Sequence, residues 1–314
     1  MKLTAPLIFE PLYMERVWGG RKLETLFGKN LPSGAVIGEA WEIVDREEAQ
    51  SVVHTGPLRG QTLNELWTET RAEVFGERYS GFQGRFPLLV KLLDAADKLS
   101  VQVHPPAEVA RQLKGEPKTE MWYVAAAEEG ADLYAGLKAG TTRDQFEKAL
   151  ASGHCADLLH RVTTQPGDTI FIPSGRVHAI GAGNVIVEIQ QNSDTTYRVF
   201  DWNRTGLDGK PRALHVAESL RSINFADYEP QLQDSRNEVL ADCPHFQVAR
   251  WSLEAPREVA PAGDFAIVAC VSGQVECGGV TFGPGHFFLV SAIQEDRLLK
   301  PVAPDTAILR SVIP

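Results

Sequence analysis

The stretch that most constrains the fold runs from Leu99 to Val124, LSVQVHPPAEVARQLKGEPKTEMWYV. It reads as two strands joined by a short helical insert. Side chains of a strand alternate between its faces, so Gln102 and His104 in SVQVHP project from one side, two residues apart, as half of a chelate. Pro105 and Pro106 end that strand, and Ala107 to Leu113 reads as a helix that stops at Gly115. Glu120 then brings a carboxylate back at the start of the second strand. Just before this stretch, Pro87 to Leu93 (PLLVKLL) is almost wholly apolar, which points to a buried sheet.

A further ligand is expected in Gly167–His178, GDTIFIPSGRVH. Gly-Asp opens a turn, Thr169–Ile172 is a short strand, Pro173-Ser174-Gly175 is a second turn, and His178 begins the next strand. This Gly-x5-Pro-x-Gly-x2-His arrangement resembles the second motif of the cupin superfamily. The first cupin motif is His-x-His followed by Glu; here Gln102 stands at the first His, His104 at the second, and Glu120 follows after an insert. Two imidazoles, one carboxylate and an amide suit a divalent metal with an open position.

The chain is long enough for two domains, and its formal net charge of −10 argues against nucleic acid or an anionic membrane as partner. An anionic small molecule would need a local basic pocket. The cysteines at 155, 243, 270 and 277 form no CxxC pair. The spacing of Cys270 and Cys277 permits a disulfide, but scattered thiols fit a reducing compartment better. No apolar run has the length of a signal peptide or membrane span, so a cytoplasmic protein is expected.

Along the chain, Trp18-Gly19-Gly20 marks a loop, and Ile37–Val44 (IGEAWEIV) reads as a strand whose Glu39 and Glu42 are expected to be solvated or structural. Thr62 and Glu65 form a capping-box pattern opening a helix with Leu63, Leu66, Trp67, Val74 and Phe75 on its apolar side. Asn184–Gln191 (NVIVEIQQ) is a strand with Glu188 in an apolar run. A carboxylate there is either paired structurally or tuned for proton transfer. In SDTTYRVFDWNR, Arg198 and Arg204 share a face if the segment stays extended; they either fork onto a phosphate or pair with Asp194, Asp201 or Asp208. From residue 237 onward the pattern is strand and turn without a ligand histidine. The expected architecture is mostly β: two cupin-like jelly-roll sandwiches with a few short helices, a metal-binding domain over 1–235 and a metal-free one over 236–314.

LLVKLLDAADKLSVQVHP, KTEMWYV, the Gly-x5-Pro-x-Gly-x2-His segment and SDTTYRVFDWNR, in that order, resemble the type I mannose-6-phosphate isomerases in their compact bacterial form. The resemblance implies a cytoplasmic enzyme of mannose metabolism, a monomer or weak homodimer. It would carry one Zn2+ per chain and interconvert mannose 6-phosphate and fructose 6-phosphate through a cis-enediol. It implies His104, Glu120 and His178 as zinc ligands, with Gln102 either a fourth ligand or just outside the set. Arg198 matches the family's active-site arginine. Lys118 and Arg204 match basic positions near the substrate, Ser100 a serine close to the phosphate, and Trp18 and Asp194 further active-site positions.

Removing a proton beside a sugar carbonyl needs a base that reaches both carbons and groups that hold the charge building on oxygen. Glu188 is the first expected base, since an apolar setting would raise its pKa, and Lys118 or a zinc-bound water the second. Arg198 would stabilise the enediolate, while Ser100 and Arg204 would grip the phosphate. Two other readings fit the same ligands: an iron-dependent cupin dioxygenase and a non-catalytic sugar-phosphate-binding cupin.

Overall fold

The computed structural model describes residues 3–233 and 238–314. Its first sandwich pairs a six-stranded sheet with a five-stranded one. The larger sheet runs in the order Leu12–Gly20, Ile37–Ile43, Leu88–Ala95, Asn184–Gln191, Glu120–Ala127, Thr169–Ile172. The smaller runs Tyr197–Phe200, Val101–Val103, His178–Ile180, Asp132–Leu137, Leu159–Thr163. Every pairing between these strands is antiparallel.

The apolar runs are explained by cover on both faces. In the central strands of the larger sheet, Leu88, Val90, Leu92, Val185, Val187 and Ile189 point outward into one core. Leu93, Ala95, Ile186, Trp122 and Val124 point inward, to meet Leu133, Ala135 and Ile180 from the smaller sheet. The inward set thins out at one end, where Lys91, Glu188, Gln102 and the metal-ligand candidates replace aliphatic side chains. The smaller sheet is backed by helices Arg143–Ala151 and Val216–Ser222 through Phe146 and Ile223.

Thr62 and Glu65 form the expected capping box. The helix they open, Leu63–Glu69, breaks at Thr70 and resumes as Arg71–Val74. Its buried face joins a cluster in which the Phe75 and Tyr79 rings each lie 5.2 Å from the ring of Phe265 in the C-terminal part. Tyr79 also donates its hydroxyl to the Ile313 carbonyl at 3.0 Å.

The second sandwich has five- and four-stranded sheets around Trp251, Val268, Phe288 and Ile308. Leu7 bridges to Leu289 and Leu3 to Gln294, so the chain's first described residues lie against this unit. The expected boundary between residues 235 and 236 lies outside the described residues. All four thiols are free. Among the described residues no helix is long and apolar enough to cross a membrane.

Candidate active site

Strand Val101–Val103 carries Gln102 inward, with Val101 and Val103 in the core on the opposite face. His104 follows on the same side, and Pro105-Pro106 turns the chain into helix Ala107–Leu113. The Pro173–Gly175 turn folds against this point: Gly175 donates its N–H to the His104 carbonyl at 2.8 Å. Gly175 has φ +92°, and a β-carbon there would press within 3.3 Å of Pro106, so only glycine suits it. Directly after, His178 pairs across the sheet with Gln102.

His104, Glu120 and His178 thus converge, with ligand atoms all within 4.8 Å of one another. Glu120 Oε2 is 3.5 Å from His104 Nε2, and Glu120 Oε1 is 3.6 Å from His178 Nε2. A tetrahedral ion with bonds of ~2.0–2.1 Å has ligand–ligand edges of roughly 3.4 Å, so the spacing fits. The imidazoles are also in the right tautomer. Each Nδ1 lies 2.9 Å from a backbone carbonyl, of Thr195 for His104 and of Arg176 for His178. A carbonyl can only accept, so Nδ1 carries the hydrogen and Nε2 presents its lone pair. Buried His104 Nε2 and Glu120 Oε1 have no hydrogen-bond partner among the described residues. The set therefore fits a metal ion. Burial and the adjacent His104 pull His178 down to about 3, and burial with nearby Lys118 lowers His104, so both are neutral ligands. Burial alone would raise Glu120, but Lys118, at 2.7 Å, and His104 hold it well below the usual carboxylate range. The Gln102 amide nitrogen lies 3.3 Å from His178 Nε2, beside the three ligand atoms.

From Glu120 a file of alternating charges crosses the inner face of the larger sheet. Lys118 Nζ lies 3.6 Å from Glu188 Oε1, and Lys91 Nζ lies 3.5 Å from the same oxygen. Lys91 also faces Glu39 at 3.8 Å, and Glu39 takes two guanidinium hydrogen bonds from Arg16. The register explains the line, because Lys91 and Trp122 flank Glu188 on neighbouring strands and Trp41 flanks Lys91. Trp122 donates its indole N–H to Glu188 Oε2 at 3.0 Å, and Trp41 does the same for Glu39 at 2.6 Å. The setting of Glu188 is therefore two ammonium groups and an indole, where the apolar run had implied hydrocarbon. Of the two settings expected for Glu39 and Glu42, solvated or structural, the structural one is found: both are buried and paired, Glu39 on the cavity with Lys91 and Arg16 and Glu42 with Lys29 at 2.6 Å. Burial would raise Glu39, but Lys91 and Arg16 pull it down to about 2.

These groups line a cavity of about 570 Å³. Trp18, Ser100, Gln102, Lys118, Glu188, Asp194 and Arg198 all border it. Arg204 does not. The strand ends at Phe200, and Trp202 and Asn203 adopt φ of +58° and +56°, so the segment turns instead of staying extended. Arg204 is left bonded to Asp201 and Asp97, and Arg212 takes a place on the cavity wall. Lys91, Glu39, Arg16 and Arg212 were missed from sequence. A lysine inside PLLVKLL was the signal for the first; the others depend on register and loop geometry.

An antiparallel sandwich holding two histidines and a glutamate together, next to Gln102 and Lys118 on the wall of a polar cavity, has the cupin-type architecture with a group that could hold a metal ion. The model of the family described as phosphomannose isomerase type I, catalytic domain, matches residues 7–135. Mannose-6-phosphate isomerase ManA of Bacillus subtilis (strain 168) is 39% identical over 280 residues, covering 86% of this chain and 87% of its own. A crystal structure of the mannose 6-phosphate isomerase from Bacillus subtilis matches with a TM-score of 0.85 and 32% identity, covering 98% of this chain and 100% of that one. A structure of mannose 6-phosphate isomerase bound with zinc and yttrium shares the fold at a TM-score of 0.73 and 16% identity, covering 98% of this chain and 99% of that one. The chain belongs to the type I mannose-6-phosphate isomerase family.

Proposed function

We propose that this protein is a metal-dependent aldose–ketose isomerase that interconverts mannose 6-phosphate and fructose 6-phosphate through a cis-enediol, with one zinc ion per chain held by His104, Glu120 and His178. The observation that carries the reading is the convergence of these three side chains, with His104 Nε2 and the Glu120 oxygens unpartnered among the described residues, behind Gln102 and Lys118 on the wall of a cavity that also holds a buried carboxylate and an unneutralised arginine. A metal bound there supplies Lewis acidity toward the sugar's carbonyl and hydroxyl oxygens.

Glu188 is the proposed base. Trp122 pins its Oε2, while its Oε1 has no hydrogen-bond partner among the described residues and is free to take a proton from C1 or C2 and return it. Lys118 is the second choice: burial disfavours its charge, but Glu120 and Glu188 hold the ammonium above its usual range, which suits it to bind oxygen better than to accept protons. Arg198 faces negative charge on the enediolate. It lies next to Gln102 in register, one strand from His178. Gln102 completes or borders the ligand set, and Trp18, Ser100 and Asp194 shape the sugar's bed. The protein is read as a cytoplasmic monomer or weak homodimer. Buried free thiols at 155, 270 and 277 suit a reducing compartment.

The test offers mannose 6-phosphate in heavy water, with and without chelator. Fructose 6-phosphate carrying solvent deuterium, formed only when the metal is present, is expected. Turnover that survives complete metal removal would refute the reading.

A further inference from the structure

The cations bordering the cavity are not equivalent. Arg16 is neutralised by Glu39, Lys91 by Glu39 and Glu188, and Lys118 by Glu120 and Glu188. Arg198 faces no carboxylate within ion-pair distance among the described residues; its Nη1 donates to the Ala213 carbonyl at 2.8 Å and its buried Nε has no partner. One residue before that carbonyl, Arg212 gives Nε to Asp201 Oδ2 at 2.7 Å and Nη2 to Oδ1 at 2.5 Å. Its Nη1 has no partner among the described residues. Asp201, itself buried, is shared with Arg204, so two guanidiniums face one carboxylate there. All three Arg204 nitrogens are already engaged by carboxylates, Nε and Nη2 by Asp201 and Nη1 by Asp97 at 3.2 Å, and the residue is absent from the cavity wall.

We infer that Arg212, and not Arg204, anchors the phosphate of the substrate, at the end of the cavity beyond Arg198 from the metal ligands. This assignment rests on the sugar-phosphate reading above. Three features fit an oxyanion. The Arg212 fork is held rigid by Asp201, so little freedom is lost on binding. Arg198, which meets no carboxylate among the described residues, lies beside Arg212 through its bond to the Ala213 carbonyl, so two guanidiniums border this end. The loop closed by the Thr205–Pro211 bridge brings Gly206 and Leu207 onto the same wall, so a ligand there also meets the loop; its Asp208 carboxylate, which also borders the cavity and opposes an anion, accepts the Lys210 N–H at 3.0 Å on Oδ1.

The test compares R212M, R212K and R204M in steady-state assays with mannose 6-phosphate and with inorganic phosphate as inhibitor. R212M is expected to raise both KM and the phosphate inhibition constant about tenfold or more while kcat falls less than about fivefold. R212K should recover part of the loss, and R204M should move the phosphate constant less than about threefold. A phosphate constant unchanged in R212M, or raised about tenfold in R204M, would overturn the assignment. Should R212M fail to fold, phenylglyoxal labelling of the wild-type protein decides: inorganic phosphate must shield Arg212 and not Arg204, and equal labelling of Arg212 with and without phosphate refutes it. If the wild-type protein converts no mannose 6-phosphate, the isomerase reading falls alone, and the phosphate footprint still decides the anion seat.

Discussion

Replacing Glu39 with glutamine tests the buried file of charges without touching the metal ligands. Glutamine keeps an oxygen for the Trp41 indole, which sits 2.6 Å away, but removes the charge facing Lys91 and Arg16. In the folded protein the Glu39 carboxyl is pulled from 4.5 to about 2. A drop of that size corresponds to about 3 kcal/mol of folding free energy, within reach of the ~3–5 kcal/mol expected for breaking a buried pair. The sign follows from linkage. A carboxyl lowered on folding stabilises the protein fully above its unfolded pKa, and that contribution disappears as pH falls from about 4.5 toward 2. Urea unfolding followed by tryptophan fluorescence, with chelator present so that metal release plays no part, should show E39Q about 3 kcal/mol less stable at pH 7. The gap should narrow below pH ~4.5, because the unfolded chain's carboxyl then takes up a proton while the folded one stays charged until about 2. A loss under about 1 kcal/mol at pH 7, or a gap equally wide at about pH 3, would mean that Glu39 is not held by Lys91 and Arg16 in this way.

H104A and H178A should each lose bound metal by elemental analysis and turnover with it, while far-UV circular dichroism stays that of the wild type. R198A should keep its metal and lose about 10²–10³ in kcat; loss of metal would instead place Arg198 among the groups that build the metal site. Thiol titration of the native protein should find one reactive cysteine, the part-exposed Cys243, and four after unfolding. Burial pushes Cys155 up to about 11 and Cys270 and Cys277 up to about 12, so those three resist reagent until the chain opens.

The grouping of His104, Glu120 and His178 was legible because its signals are local. The parity of Gln102 and His104 on one strand, the helix from Ala107 to Leu113 and the glycine turn before His178 are each written in a few adjacent residues. The charge file was not, because it arises where strands Ile37–Ile43, Leu88–Ala95 and Asn184–Gln191 line up side by side. No short-range rule sets Glu39 near Lys91, or Lys91 opposite Glu188. The shared face of Arg204 with Arg198 was lost for a different reason. It assumed an extended chain, and Trp202 together with Asn203, a residue type that tolerates it, takes left-handed backbone there. Asp201 and the returning loop then select Arg212 for the wall.

The aromatic knot joining Phe75, Tyr79 and Phe86 to Phe265 gives the smaller sandwich a purpose that needs no chemistry of its own. It is the back wall of the reaction chamber. A fragment ending at residue 233 would strip Leu240, Phe246, Phe265, Ile267 and Leu289 from the core on the outward side of strands Leu88–Ala95 and Asn184–Gln191, and the same strands carry Lys91 and Glu188 on their other side. Loosening the rear of those strands would shift Glu188, the proposed base, at the front, so damage inflicted far from the sugar should be felt as lost turnover before it is seen as lost shape.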